Sequence, residues 1–275
     1  KEVLEKLIRE FPLSSLARKA GIQLGLLYYN DNQPEKALAA YKQVISNYPG
    51  SEEAKIALQD LKSVYIDLND INAYASYVNS IGGNIRLEVG EQDSLTYIAA
   101  EKLFMRGDND GARRSLINYL QTFPEGAFSS NANFYLGSIA FAKKEFDEAI
   151  QRFKSVIASG DTKFLEESVA RTAEIEYLSK DYPAALESFK RLLIVAENPE
   201  NRQAARLGIM RCALQTGQQK DALLAADELL KEPKLSPELE AEARDLGLLA
   251  VPVLVHREHH QLILLVLVQL ERPGA

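Results

Sequence analysis

The chain of 275 residues carries 32 Lys and Arg against 39 Asp and Glu, a net charge of −7, with a pI near 5.2. This acidic balance, with no Lys/Arg cluster, argues against a nucleic-acid binder, which needs a basic stripe to displace counterions from phosphates. Hydrophobic residues at 46% and charged residues at 26% fit a folded chain and not a disordered one, and the single cysteine, Cys212, excludes an intrachain disulfide.

In chain order, residues 1–12 show the apolar spacing Val3, Leu4, Leu7, Ile8 and end in Phe11-Pro12. This reads as the second helix of a helical hairpin whose first helix would precede Lys1. Residues 17–50 place Ile22, Leu24, Leu26, Tyr28 and Tyr29 at helical spacing, then a polar turn from Asn30 to Pro34, then a helix ending at Tyr48-Pro49. Residues 51–83 form a divergent unit. Its first helix is expected from Ser51 to about Leu68 and its second from Ile71 to Ile81, with no alanine in phase and a loop over 84–90. Further helix–turn–helix units are expected over 93–125, 130–160, 166–199 and 203–233. Ser236 as N-cap and Pro237 at the first helical position open another helix toward residue 250.

Two markers give the period. Prolines 12, 49 and 124 follow an aromatic residue at steps of 37 and 75, and Ala37, Ala112, Ala149, Ala185 and Ala222 recur at steps of 75, 37, 36 and 37. Both keep one phase, and a repeat of that length signals stacked supersecondary units.

The recurring residues resemble the tetratricopeptide repeat. Leu24-Gly25, Tyr28, Ala37, Tyr41, Val44 and Pro49 match its pattern in order, as do Leu136-Gly137, Ala149, Phe153 and Val156. Ala99-Ala100, Ala112, Leu116, Tyr119 and Pro124 match with substitutions. The resemblance implies an all-α fold, a right-handed α-solenoid of about six hairpins in which each unit touches only its neighbours. It also implies a non-catalytic scaffold that binds a protein or peptide. With Gly25-Leu26-Leu27-Tyr28-Tyr29 and Tyr48-Pro49-Gly50-Ser51 followed by Ala54, the units most resemble envelope-associated bacterial members of the family, such as the TolA-binding periplasmic factor and outer-membrane assembly lipoproteins, and the resemblance covers roughly Ala17 to Pro233. That likeness implies a periplasmic or envelope setting, with the cytoplasm as the alternative.

In the family the concave face is lined by the first helix of each unit. Carried onto this register, those positions are Lys19, Ile22, Gln23, Leu26 and Tyr29, then Tyr97, Glu101 and Phe104, then Asn131, Phe134, Tyr135 and Phe141, then Arg171, Glu174 and Tyr177, then Arg211. The Lys/Asn carboxylate clamp of chaperone-binding members is not expected, because Ile22 with Leu26 and Phe134 with Ser138 stand at its positions. An aromatic-rich face suits an apolar or extended segment. The same aromatics equally suit packing between helices.

No cofactor or metal is expected. His256 and His260 would share a helix face, but Arg257 stands where a zinc hydrolase carries glutamate. Asp67 to Asp70 and Asp108 to Gly111 lack the glycine and glutamate spacing of a calcium loop and suit turns and caps. Cys212 lies on an apolar stretch with Ile209, Ala213 and Leu214, where a packing role is expected. Residues 251–275 depart from the repeat, hold all three histidines, and offer a route to membrane association through Leu262 to Val268. The alternative function is a helical-repeat accessory region of a larger protein whose catalytic or membrane-assembly part lies elsewhere.

Overall fold

The computed structural model describes residues 1–82, 86–160 and 163–246, and all regular structure within them is α-helical. Residues 251–275, with the histidine group and the apolar run, lie outside the described residues. The chain divides into two compact units, Lys1–Leu136 and Gly137–Ala275.

The first unit holds α1 (Glu2–Glu10), α2 (Ser15–Asn30), α3 (Pro34–Asn47), α4 (Glu52–Asp67), α5 (Ile71–Ile81), α6 (Val89–Met105), α7 (Asn109–Thr122) and the beginning of α8 (Ser129–Ala142). The second holds the rest of α8, then α9 (Phe146–Ala158), α10 (Leu165–Leu178), α11 (Tyr182–Val195), α12 (Pro199–Gln215), α13 (Gln219–Leu230) and α14 over residues 237–246. Helix α6 begins at Val89, so the loop expected over 84–90 is shorter at its far end.

The turn inside each hairpin is one device used six times. Asn32, Asn69, Gly107, Lys144, Lys180 and Gly217 all have positive φ, between 55° and 81°, and follow one another at steps of 36–38 residues. In each turn the next residue's N–H reaches back to a carbonyl five residues earlier, as from Gln33 to Tyr28 (2.9 Å) and from Asp181 to Glu176 (2.9 Å). This is a Schellman closure, which satisfies carbonyls left unpaired at the helix end. Asp70, Asp108 and Asp181 then cap the following helix through Ala73, Gly111 and Ala184 N–H groups.

The aromatic–proline marker closes the other end of the hairpin. Phe11, Tyr48 and Phe123 share φ near −130° with ψ of 53° to 70°, outside the helical basin that a following proline disfavours. Ser14 and Ser51 then bond back to the Phe11 and Tyr48 carbonyls and cap α2 and α4.

The five period-marking alanines are each 0% exposed, because they sit where the two helices of a hairpin cross most closely. At the equivalent place in the divergent unit stands Tyr74, buried and tilted against Tyr65 with centroids 6.0 Å apart. Its ring cannot fit an alanine slot, and α5 packs less closely on α4 than the second helix does in the neighbouring hairpins. Within each unit the first helices also meet one another: α2 packs on α4 and α4 on α6 in the first unit, and α10 on α12 in the second. Each unit thus presents a continuous surface made of first helices.

Candidate partner-binding faces

In the first unit, Lys19, Gln23 and Leu26 lie exposed along α2, with Leu26 at 41% exposure. Tyr29, one turn on, is partly buried and donates its hydroxyl to Asp67 on α4. Asp67 also receives Lys102 Nζ and Arg106 Nη2 from α6, each at 2.8 Å. Burial pushes the Asp67 carboxyl up, but the hydrogen bonds from Lys102 and Tyr29 and the two positive charges outweigh it and hold its pKa below the usual carboxylate value. The cluster ties three consecutive first helices together beside a cavity of about 360 Å³ lined by Tyr29, Asn32, Pro34 and Arg106.

Tyr97 and Tyr135 differ from the expectation that they face a partner. They are buried at 2% and 6% exposure, because their rings fill space between helices. The Tyr97 ring stacks on Phe128 at 4.4 Å, within 2° of parallel, and the Tyr135 ring packs on Phe104 at 4.6 Å. Their hydroxyls converge: Tyr97 donates to Glu101 Oε1 at 2.6 Å, and Tyr135 donates to the same oxygen at 2.9 Å. Asn131 Nδ2 donates to the Tyr97 hydroxyl at 3.2 Å, and Phe134 stands edge-on to Tyr135 at 5.8 Å. Burial first, then the Glu101 bond, raises the pKa of both tyrosines above the normal phenol value, so both stay neutral donors. Phe104, Asn131 and Phe134 remain partly exposed around this pair.

Another carboxylate, the buried Asp93, was not legible as functional or structural in the sequence. Asp93 accepts the Tyr119 hydroxyl at 2.6 Å and the Ala127 N–H at 2.9 Å, while Phe128 N–H donates to the Tyr119 oxygen at 3.0 Å. This network fixes the turn that delivers Phe128 to Tyr97. Nothing but a tyrosine and an aspartate 26 residues apart signals it in the sequence.

In the second unit, Phe141, Arg171, Tyr177 and Arg211 come together. The Arg171 guanidinium lies 4.9 Å from the Phe141 ring centroid and pairs with Glu167 and Glu174, both at 2.8 Å. Arg211 makes a two-pronged bond to Glu242 on α14, through Nε and Nη2, each at 2.8 Å. Between α10 and α12 opens a cavity of about 280 Å³ whose walls include Arg171, Tyr177, Arg211, Ala170, Ala204 and Leu207. Ala170 on α10 and Ala204 and Gly208 on α12 are the small residues of its lining. Ala204, Leu207, Gly208 and Glu242 belong to this site and were not singled out from the sequence.

Among the described residues no group of three or more His, Cys, Asp or Glu is arranged to hold a metal, and no helix is long and apolar enough to cross a membrane. Cys212 is fully buried, and burial pushes its thiol up to about 11.

Family models of the tetratricopeptide repeat match residues 20–51 and residues 99–162. These segments of the chain are tetratricopeptide repeats. The matched segments take in α2 from residue 20 with all of α3, and α6 from residue 99 with α7 to α9, whose alanines, glycines and left-handed turns are those described above. Repeats of this family are protein-interaction modules. No curated protein matches the chain. Solved structures similar to it include PilF of Pseudomonas aeruginosa, at 17% identity over 83% of this chain and 97% of that one, with a TM-score of 0.43. The C-terminal part of a repeat protein from Cytophaga hutchinsonii is 12% identical over 87% and 92%, with a TM-score of 0.48. YrrB, described as having an unusual peptide-binding site, is 16% identical over 74% and 97%, with a TM-score of 0.38.

Proposed function

We propose that this chain is a non-catalytic scaffold that binds a segment of a protein partner on the faces of its first helices. In the second unit a large apolar side chain of that segment would seat between α10 and α12. The observation that carries this reading is the 280 Å³ cavity there, bordered by Ala170, Ala204, Leu207, Phe189 and Leu192 and rimmed by Arg171 and Arg211. Both arginines are already paired with glutamates, so the rim is close to electrically balanced and favours an apolar occupant. Burying one such side chain contributes about 1.5–3 kcal/mol, enough to anchor an otherwise adaptable segment.

The test is selection of a random peptide library on the intact chain, followed by affinity measurements on variants. Ala204→Phe fills the cavity from an exposed position and should weaken the selected peptides at least tenfold. Ile194→Ser, on the outward side of α11, should leave them unchanged. Undiminished binding to A204F, or failure to select any peptide, would remove this reading.

A further inference from the structure

The carboxylates on the first-helix faces fall into two kinds. Asp67, Glu174 and Glu242 each have a lysine or arginine partner, as does Glu176, which pairs with Lys154 at 3.2 Å. Asp60, Asp93 and Glu101 pair with no cation among the described residues: Asp60 is met by the Tyr41 hydroxyl, Asp93 is buried with both oxygens bonded by Tyr119 and the Ala127 N–H, and Glu101 is bonded by two hydroxyls, those of Tyr97 and Tyr135. Both arrive at Oε1, which leaves Oε2 without a donor among the described residues, and the Glu101 side chain is partly exposed. Two neutral donors therefore fix the position of a negative charge without neutralising it.

The surroundings of Glu101 add a second feature. Phe104 lies one helical step along α6, and Phe104, Tyr135 and Phe134 form a run of rings at centroid distances of 4.6 and 5.8 Å beside the carboxylate. An aromatic face attracts a cation through its quadrupole, and a fixed carboxylate attracts it through its charge. An anionic or purely apolar group here would leave Oε2 desolvated without a partner, a costly arrangement. The nearest lysine in sequence, Lys102, is committed to Asp67 on the other side of α6.

We propose that Glu101 is the receptor for a cationic side chain, lysine or arginine, presented by the protein segment that binds the first-helix face. The site is separate from the apolar cavity of the second unit, and the inference rests on the reading that this face receives a partner. Tyr97 and Tyr135 are positioning residues: they hold the carboxylate in one orientation, so little side-chain entropy is lost on capture.

The same random peptide library, selected on the intact chain, tests it. Lysine and arginine should be enriched among the recovered peptides. Replacing the enriched cation by norleucine should weaken binding roughly tenfold, the scale expected for one partly desolvated charge pair. Glu101→Gln, which can still accept both tyrosine hydroxyls, should melt like the parent and lose the preference, while Glu101→Lys should shift it toward acidic peptides. On the unmodified chain, carbodiimide should join a bound lysine peptide to Glu101 as an amide, with loss of water, identified by peptide mass mapping. Recovery of peptides without cation enrichment, enrichment that survives in E101Q, or coupling only at other carboxylates overturns the assignment while leaving the scaffold reading intact. Recovery of no peptide overturns both.

Discussion

Gly208 on α12 lies directly against the ring of Phe189 on α11, so close that a Cβ at Gly208 would collide with the ring. Related pairings hold Gly25 under Tyr41 and Gly137 under Phe153, where an added Cβ would stand 2.5 and 2.8 Å from the ring. Those two join the helices of a single hairpin. Gly208 and Phe189 join consecutive hairpins, so the same small-against-aromatic solution serves both kinds of seam.

Gly208→Ala should therefore destabilise the protein by about 1–3 kcal/mol, since the Phe189 ring must shift from its packed position to admit the added carbon. Urea unfolding followed by circular dichroism checks this. A midpoint equal to that of the parent would mean that Phe189 has room to relax.

The left-handed turns predict an opposite effect. Lys180 holds φ at 60°, a conformation that costs an L-residue roughly 1–2 kcal/mol and glycine little. Lys180→Gly should raise stability by about 0.5 kcal/mol after the added freedom of the unfolded chain is subtracted. Gly217→Ala, at φ 74°, should lower it by about 1 kcal/mol. Thermal melts of the two variants should move in opposite directions.

Cys212 should be unreactive in the native protein. Burial disfavours its thiolate and moves its pKa from 9.0 to about 11, so at pH 8 a disulfide reagent should label it only as fast as the chain opens. A raised native pKa supports stability in full below pH 9 and loses that contribution as pH climbs from 9 toward 11. Labelling at the rate of a free thiol without denaturant would contradict the buried placement.

The Arg211–Glu242 pair predicts an acid-dependent tie. The hydrogen bonds from Arg211 hold the Glu242 carboxyl below its usual value, so its contribution is present above about pH 4.5 and is lost as pH falls through the lowered native value. Both side chains are more than a third exposed, so Glu242→Gln should cost only about 0.2–1 kcal/mol at neutral pH. The gap between parent and variant melts should close in acid; a gap independent of pH would show that packing and not charge joins α14 to α12.

The helices were legible because their period, caps and breakers are local. Ser236, Pro237 and the aromatic–proline pairs announce helix ends within a few residues, and the alanine spacing reports the tightest crossings. Tyr74 shows where that reading stops: the missing alanine was visible, but not that a tyrosine occupies its slot and holds α5 off. The face residues were legible as positions and not as roles. Arg171 and Arg211 sit beside a cavity that their register did not announce, and Tyr97 and Tyr135 turn inward because Phe128, from the turn before α8, and Phe104, from α6, pack on their rings. Asp93, Ala204 and Glu242 depend wholly on such non-local meetings, and no spacing along the chain encodes them.

The six left-handed turns fall at nearly equal steps, and each closes with the same backward bond regardless of which residue stands in it. A stretch of sequence lifted out between two of these corners would carry one complete second helix and one complete first helix, with both of its ends already shaped to fit the next corner. Such a chain can gain or lose a module by copying or excision without inventing a new junction, and the uneven quality of its repeats, from Ala37 to Tyr74, is the kind of drift that follows when copies need to agree only at their seams.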